Sequence, residues 1–223
     1  MTADFGATGA AILYASGAVM LFGVRSWRHH RATGDAGFRG FTPHRGMAAR
    51  IAGLCFALAV IGGLLSPVLV RLDVLPLVGR AENWSIAGWG VWLGLAISAI
   101  GFGLAVIAQT AMGASWRIGV DESERTSLVI EGVFALVRNP IFTAMVIAQV
   151  GTALMAPTWL SLVGAALLVA GVELQVRLVE EPYLHRVHGT AYARYAARTG
   201  RFLPRVGRLA HTAEQPWRQK VSR

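Results

Sequence analysis

Charge is scarce in this sequence. Only 15% of its 223 residues are charged, against 54% hydrophobic, where a soluble domain carries about 25% charged residues. The shortage is uneven: long stretches hold no charge and the gaps between them are crowded. That distribution suits a chain whose solvent is partly hydrocarbon. Cysteine is nearly absent as well. Cys55 is the single one, inside an apolar run, which excludes an internal disulfide and a cysteine metal site and leaves a packing role. No internal repeat is evident. An acidic start, MTADFG, followed by an apolar run long enough to span, argues against a cleavable targeting peptide.

What is present is a series of apolar runs. A spanning helix needs about 20 mostly apolar residues, and five segments approach this: Gly6 to Val24, Met47 to Val70, Ile86 to Gln109, Pro140 to Met155 and Thr158 to about Val176. The fourth is short. Pro157 separates the last two, which predicts a tight helical hairpin that does not reach fully across. The expectation is an all-α polytopic membrane protein of about five transmembrane helices, followed by a cytoplasmic amphipathic helix over Tyr183 to Thr199. The chain divides into an N-terminal membrane region (1–109), a core of loop, hairpin and cytoplasmic helix (110–207), and a basic tail (208–223) expected to be disordered.

The net charge of +9 flanks the apolar runs, so it is read as topological signal and contact with anionic lipid rather than nucleic-acid binding. Six arginines lie between Arg25 and Arg50, two between Arg71 and Ser85, three between Thr110 and Asn139, and ten Lys or Arg from Arg177 onward. Positive segments stay in the cytoplasm, so the N-terminus is expected outside and the C-terminus inside a plasma membrane of bacterial type. In the third span Gly90 and Gly94 form a small-xxx-small pair that permits close helix approach. Gly101-Phe102-Gly103 is read as packing, since no strand precedes it.

Polar residues at the membrane edge carry the functional argument. Three clusters share the cytoplasmic side. The first is Ser115-Trp116-Arg117-Ile118-Gly119 with Asp121, Glu122 and Glu124, equally readable as an interfacial anchor. The second is Arg138-Asn139-Pro140. Pro140 suits the first turn of a helix and Asn139 its N-cap, and the arginine beside a helix N-terminus is an anion site that could hold a carboxylate. The third runs from Glu173 to Leu184. Glu173 and Arg177 are spaced for an i,i+4 ion pair. Glu180 and Glu181, just before Pro182, suit the positive end of a new helix. Beyond them Leu184, His188, Tyr192 and Tyr195 fall near one face, Gly189 marks an interruption, and Arg186, Arg194, Arg198 and Arg201 keep other faces cationic, as in a helix lying on anionic lipid. His185 and His188 lack companions at metal-ligand spacing, so no metal is expected.

Arg138-Asn139-Pro140-Ile141-Phe142, a helical hairpin, Glu180-Glu181-x-x-Leu184, Gly189-x-x-Tyr192-x-x-Tyr195 and Pro204 follow one order and spacing. This set resembles the isoprenylcysteine carboxyl methyltransferase family and its relatives among the membrane phospholipid methyltransferases, over roughly residues 110 to 207. The resemblance implies an S-adenosylmethionine-dependent methyltransferase, its cofactor enclosed by the C-terminal hairpin and the cytosolic segment after it, open toward lipid for a lipophilic or amphiphilic acceptor, free or lipidated, with a carboxylate as one class. It implies Arg138 and Glu181 as catalytic residues, with Asn139, Pro140, Glu180, Glu181, Tyr192 and Tyr195 as cofactor contacts. The chain departs from the family pattern at Asn139 (usually His), Phe142 (usually Tyr) and Ala144 (commonly Gly). Asn keeps hydrogen-bonding groups but carries no proton charge near neutral pH, so the resemblance brings no histidine base to this position. Two other readings fit the residues: an NADPH-dependent membrane reductase of the sterol reductase type, and a non-catalytic lipid-binding membrane protein.

Overall fold

The computed structural model describes residues 2–36, 46–74, 88–113 and 127–209. These form an all-α polytopic architecture with no strand among them; the nearest thing is an isolated parallel bridge, Val137 to Gly200. Helices α1 (Thr2–Ala18) and α2 (Arg25–Thr33) are joined without a break by a π-helical segment, Val19–Val24. There follow α3 (Met47–Arg71), α4 (Trp89–Ala111), the single turn α5 (Val133–Leu136), α6 (Pro140–Met155), α7 (Trp159–Gln175), a second π segment (Val176–Glu180) and α8 (Glu181–Arg198). Four of these helical runs, Phe5–Thr33, Met47–Arg71, Trp89–Ala111 and Trp159–Arg198, are long and apolar enough to cross a membrane, and Pro140–Met155 is a shorter apolar helix. The protein is an integral membrane protein, with helices where the five apolar runs predict them. The first continues past its predicted end at Val24 as far as Thr33.

At 16 residues, α6 is about 24 Å long, short of a hydrocarbon core of about 30 Å. Its turn into α7 is tight and well capped. Thr158 accepts a hydrogen bond from the Ser161 backbone N–H while the Ser161 side chain accepts from the Thr158 N–H, both at 3.0 Å. The fully buried Thr158 hydroxyl also meets Ser66 Oγ on α3 at 2.7 Å. Beyond the turn, the two arms of the predicted hairpin take different partners: α6 packs mainly on α4, α7 mainly on α3, and α1 touches α3, α4 and α6.

Lipid offers no hydrophobic drive for helices to associate, so small residues that let backbones approach supply the contact. The seam between α4 and α6 is built this way. A Cβ at Gly94 would stand 2.6 Å from the Gly151 carbonyl oxygen, one at Gly101 would collide with the Ala148 backbone, and one at Gly151 with the Ser98 backbone. Gly103, two residues from Gly101, faces open space. The outward faces of the spans carry Leu54, Leu58, Ile61, Trp92, Ile100, Ile107 and Val163, all exposed, as a lipid-facing surface requires. Gly101→Leu is expected to part the α4–α6 seam and destabilise the protein by about 1–3 kcal/mol or more, whereas Gly103→Ala leaves thermal unfolding in detergent within about 0.5 kcal/mol of the parent. Equal effects of the two would show that the glycines do not set this contact.

Candidate active site

The hairpin's first arm begins where the chain runs beside the C-terminal segment. Arg138 N–H donates to the Gly200 carbonyl at 2.8 Å, and Asn139 N–H to the Arg201 carbonyl at 3.1 Å. The Asn139 side chain donates to that same Arg201 oxygen at 3.1 Å, and Thr143 Oγ1 donates to the Phe202 carbonyl at 2.9 Å. Asn139 therefore does occupy the N-cap position of α6, with Pro140 buried in the first turn, but its side chain makes no cap hydrogen bond. It holds the 199–209 segment instead, a neighbour that spacing along the sequence does not disclose.

Arg138 is 6% exposed and is engaged on several sides. Nη1 donates to the carbonyls of Ala196 and Thr199 at 3.0 and 2.6 Å; Nη2 donates to Glu181 Oε1 at 2.7 Å and to the Gly207 carbonyl at 3.1 Å. Arg201 grips the same carboxylate with two bonds, Nε to Oε1 at 2.8 Å and Nη2 to Oε2 at 2.9 Å. The result is a buried Arg–Glu–Arg cluster. The anion site expected beside Arg138 exists, and the carboxylate that fills it is the protein's own Glu181. Burial pushes the Glu181 carboxyl upward, but hydrogen bonds from Arg201 and Arg138 and their charges outweigh it and hold it below the usual range.

Around the cluster, Tyr192 is 1% exposed, with its ring edge-on to His185 at 4.8 Å and to Tyr195 at 6.2 Å between centroids. Burial first, then the nearby Glu181 carboxylate, push its hydroxyl up to about 12. Tyr195 donates its hydroxyl to the Phe134 carbonyl at 2.6 Å, tying α8 to α5, and burial raises its pKa too. Glu180 is half-buried and accepts from Gln175 Nε2 at 3.3 Å. The predicted ion pair between Glu173 and Arg177 forms on the exposed helix surface.

Three expectations are corrected here. Glu180 and Glu181 do not sit at the start of a new helix: α7 runs through the π segment into α8, and the Glu181 N–H bonds to the Val176 carbonyl. The wider π turn carries the helix past Pro182, which has no N–H of its own to contribute. The segment from Tyr183 to Thr199 is not simply a helix laid on lipid. Gly189 has φ +50° and kinks it, and Tyr183, Tyr192 and Ala196 are buried against the protein. Arg201 is not on the cationic face of that helix, which ends at Arg198; it lies in the following segment and turns back onto Glu181. Arg201 is the residue that sequence reasoning missed as part of this cluster. Ser115 to Gly119, Asp121, Glu122, Glu124 and the tail from residue 210 lie outside the described residues.

This is an α-helical membrane protein in which an Arg-Asn-Pro element, a Glu-Glu pair and two tyrosines are gathered at one end of the bundle. Residues 89–191 match the family described as phospholipid methyltransferase. The chain is also similar to protein-S-isoprenylcysteine O-methyltransferase B of Arabidopsis thaliana, 28% identical over 153 residues that cover 68% of this chain and 74% of that protein. Both similarities are to methyltransferases, and they support a membrane methyltransferase of the isoprenylcysteine carboxyl methyltransferase-like kind, similar to the phospholipid methyltransferases.

Removing the negative charge at Glu181 would leave two largely buried guanidinium groups without a counter-ion. Glu181→Gln is expected to cost about 3–5 kcal/mol of stability. Because the carboxyl is held low, it stabilises the fold at pH above its unfolded value, and that contribution is lost as pH falls through its lowered value. Thermal unfolding in detergent should show this acid-side loss in the parent and less of it in the variant. Identical pH profiles would remove Glu181 from the account.

Proposed function

We infer that this protein transfers a methyl group from S-adenosylmethionine to a lipophilic or amphiphilic acceptor that enters from the bilayer. The observation that carries the reading is the convergence of Arg138, Glu181, Tyr192 and Tyr195, far apart in sequence, into one cluster at the edge of the span, in a chain of methyltransferase kinship. Both comparisons fall on methyltransferases, so the reductase and non-catalytic readings are not favoured. The cluster is taken to face the cytoplasm, following the distribution of arginines.

The residues divide into two roles in this reading. Arg138, Glu181 and Arg201 are spent on one another and on backbone carbonyls, so they act as positioning residues that fix the 199–209 segment against α6 and α8. Tyr192 and Tyr195 belong to the same frame. Groups that keep some exposure are the better direct contacts: the Glu180 carboxylate toward hydroxyl or ammonium groups, and the Asn139 amide beside the start of α6. That set of acceptors and donors fits part of the methyl donor's polar surface. When bound, S-adenosylmethionine supplies an activated methyl group, which an acceptor atom takes by direct displacement while the C–S bond breaks to leave a neutral thioether. The protein's contribution is then alignment and exclusion of water. The relative is named an O-methyltransferase, and a carboxylate oxygen is one class of acceptor that fits.

The test is a binding titration on the purified protein in nanodiscs. S-adenosylmethionine is expected to bind and NADPH not to. Glu180→Gln should weaken the former about tenfold to a hundredfold by loss of charge-assisted hydrogen bonds with little change in unfolding temperature. Binding of NADPH alone, or of neither cofactor, would overturn the reading; undiminished affinity in the variant would take Glu180 out of the site.

A further inference from the structure

The segment after α8 turns an apolar face outward. Leu203 and Val206 are 58% and 59% exposed, yet the turn that carries them is held fast. Arg201 N–H donates to the Val206 carbonyl at 2.7 Å, and Val206 N–H to the Leu203 carbonyl at 3.1 Å. A Cβ at Gly200 would collide with the Leu203 carbonyl oxygen, so the turn closes tightly over that glycine. Phe202 packs inward against the cluster of Leu168, Val172 and Val176, and its carbonyl accepts from Thr143 in the first turn of α6. Two cations share the exposed side: Arg205, with φ +68°, and Arg208.

The depth of this turn follows from the opposite end of the bundle. There Trp159 opens α7 just past the end of α6, and Trp89 and Trp92 lie at the start of α4, all three exposed; Gly94 of α4 meets Met155 at the same level. Tryptophan sits at headgroup level. With that end held at the interface, α6 at about 24 Å stops about 6 Å short of the far edge of a hydrocarbon core of about 30 Å. The turn seated on the start of α6 therefore lies at the hydrocarbon edge. Its backbone suits such a place, where unpaired polar groups are costly. The carbonyls of Gly200, Arg201, Phe202, Leu203, Val206 and Gly207 all accept hydrogen bonds within the protein, and Pro204 has no N–H to pair. Exposed Leu136 immediately precedes the Val137–Gly200 bridge and extends the apolar face.

We propose that residues 202–206 form an interfacial anchor in the leaflet at this end of the bundle, with Leu203 and Val206 among acyl chains and Arg205 and Arg208 on the phosphates of anionic phospholipid. Apolar area gains from leaving water, and each arginine near an anionic surface adds attraction. The face continues the lipid-facing surface of the spans, and its arginines complement lipid phosphate, whereas a second copy of this +9 chain would repel them. The inference rests on the membrane-spanning fold and not on methyl transfer, and its test uses no methyl donor.

The full chain, carrying Cys55→Ala, is given a single bimane label through Leu203→Cys or Val206→Cys, with Ile100→Cys as the lipid-facing control and Arg194→Cys as the water-facing one. It is placed in nanodiscs of phosphatidylcholine with phosphatidylglycerol. Phospholipid brominated on its acyl chains is expected to quench Leu203 and Val206 as it does Ile100, while aqueous acrylamide quenches only Arg194. Brominated phosphatidylglycerol should quench the Val206 label at a lower mole fraction than brominated phosphatidylcholine, and Arg205→Gly and Arg208→Gln should each reduce that preference about fivefold. Arg205→Gly should hold or raise the unfolding temperature, since glycine adopts this φ freely; Arg208→Gln carries the test if that variant does not fold. Acrylamide quenching at Leu203 and Val206 would place the turn in water and overturn the proposal. Shielding from both quenchers, meaning that the chain's own tail or a second copy covers the face, would overturn it too, as would equal quenching by the two lipids or a preference unchanged in the variants.

Discussion

One carboxylate between two arginines organises the end of this bundle. Residues 199–209 lie beyond the last helix and have little regular structure, so their backbone carbonyls need donors from elsewhere. The Arg138 side chain supplies two of them, Thr199 and Gly207, with hydrogen, and adds bonds to the Ala196 carbonyl at the end of α8 and to Glu181. With two cations and one anion, the cluster carries a surplus positive charge in a largely buried setting. That surplus is met by position: the carbonyls of Ala196 and Thr199 are those at the C-terminal end of α8, where the helix dipole is negative. Charge, helix end and loop hold one another, although the buried Arg138 Nε has no hydrogen-bond partner among the described residues, so removing one member exposes the others. A buried ion pair of this kind is weak as a source of net stability but costly to break, and it specifies one arrangement of three segments that share no regular ladder.

Both π segments stand where a simple helix would misdirect its side chains. One additional residue in a turn changes the phase of everything after it by about 100°. In Val176–Glu180 the extra residue lies between the membrane-spanning part of the helix and Glu181, so the face that α7 offers to α3 is not the face on which Glu181 meets Arg138. In Val19–Val24 the loosened ladder is steadied by Gln109 of α4, whose Nε2 donates to the Leu21 carbonyl at 3.1 Å, and the continuation into α2 brings Arg25 onto the Gly113 carbonyl at 2.7 Å. Each bulge carries a helix from lipid into a polar setting and resets its register at the crossing.

The spans were legible because hydropathy follows from the solvent, and Gly94 and Gly101 were legible as a packing seam because close approach needs missing side chains. The Glu173–Arg177 pair followed from spacing on one helix. What spacing could not give was contact between segments. Arg201 reads as one more basic residue in a basic tail until the fold returns it to Glu181, 20 positions earlier. Asn139 before Pro140 is a good N-cap by local rules, yet the Arg201 carbonyl competes for its amide and wins. The paired glutamates before a proline imitate a helix start, and only the π turn reveals a continuous helix. Gln149, buried on α6 with no hydrogen-bond partner for its amide among the described residues, was hidden for the opposite reason: one amide in an apolar run does not disturb the hydropathy, and its surroundings are a property of the packed bundle. The departures from the family pattern fit their surroundings. Phe142 packs against an apolar cluster with Leu168 and Val172, where no hydroxyl is needed, and Ala144 is buried with Leu21 and Ala105.

The saturation of the cluster also constrains the chemistry it can support. Glu181 is held ionised by two guanidinium groups, and its place in the proton balance is taken by charges that do not titrate near neutrality. Tyr192, pushed up to about 12, keeps its proton. With Asn139 where a histidine would bring an imidazole, none of these groups is poised to move a proton at pH 7. A reaction needing strong general-base catalysis from this cluster would be starved. Displacement at a sulfonium methyl has a leaving group that departs neutral, and an acceptor that is already anionic has no proton to lose. For such a reaction a rigid frame that fixes donor and acceptor and excludes water supplies what the chemistry lacks in solution, and a rigid frame is what the Arg–Glu–Arg cluster provides.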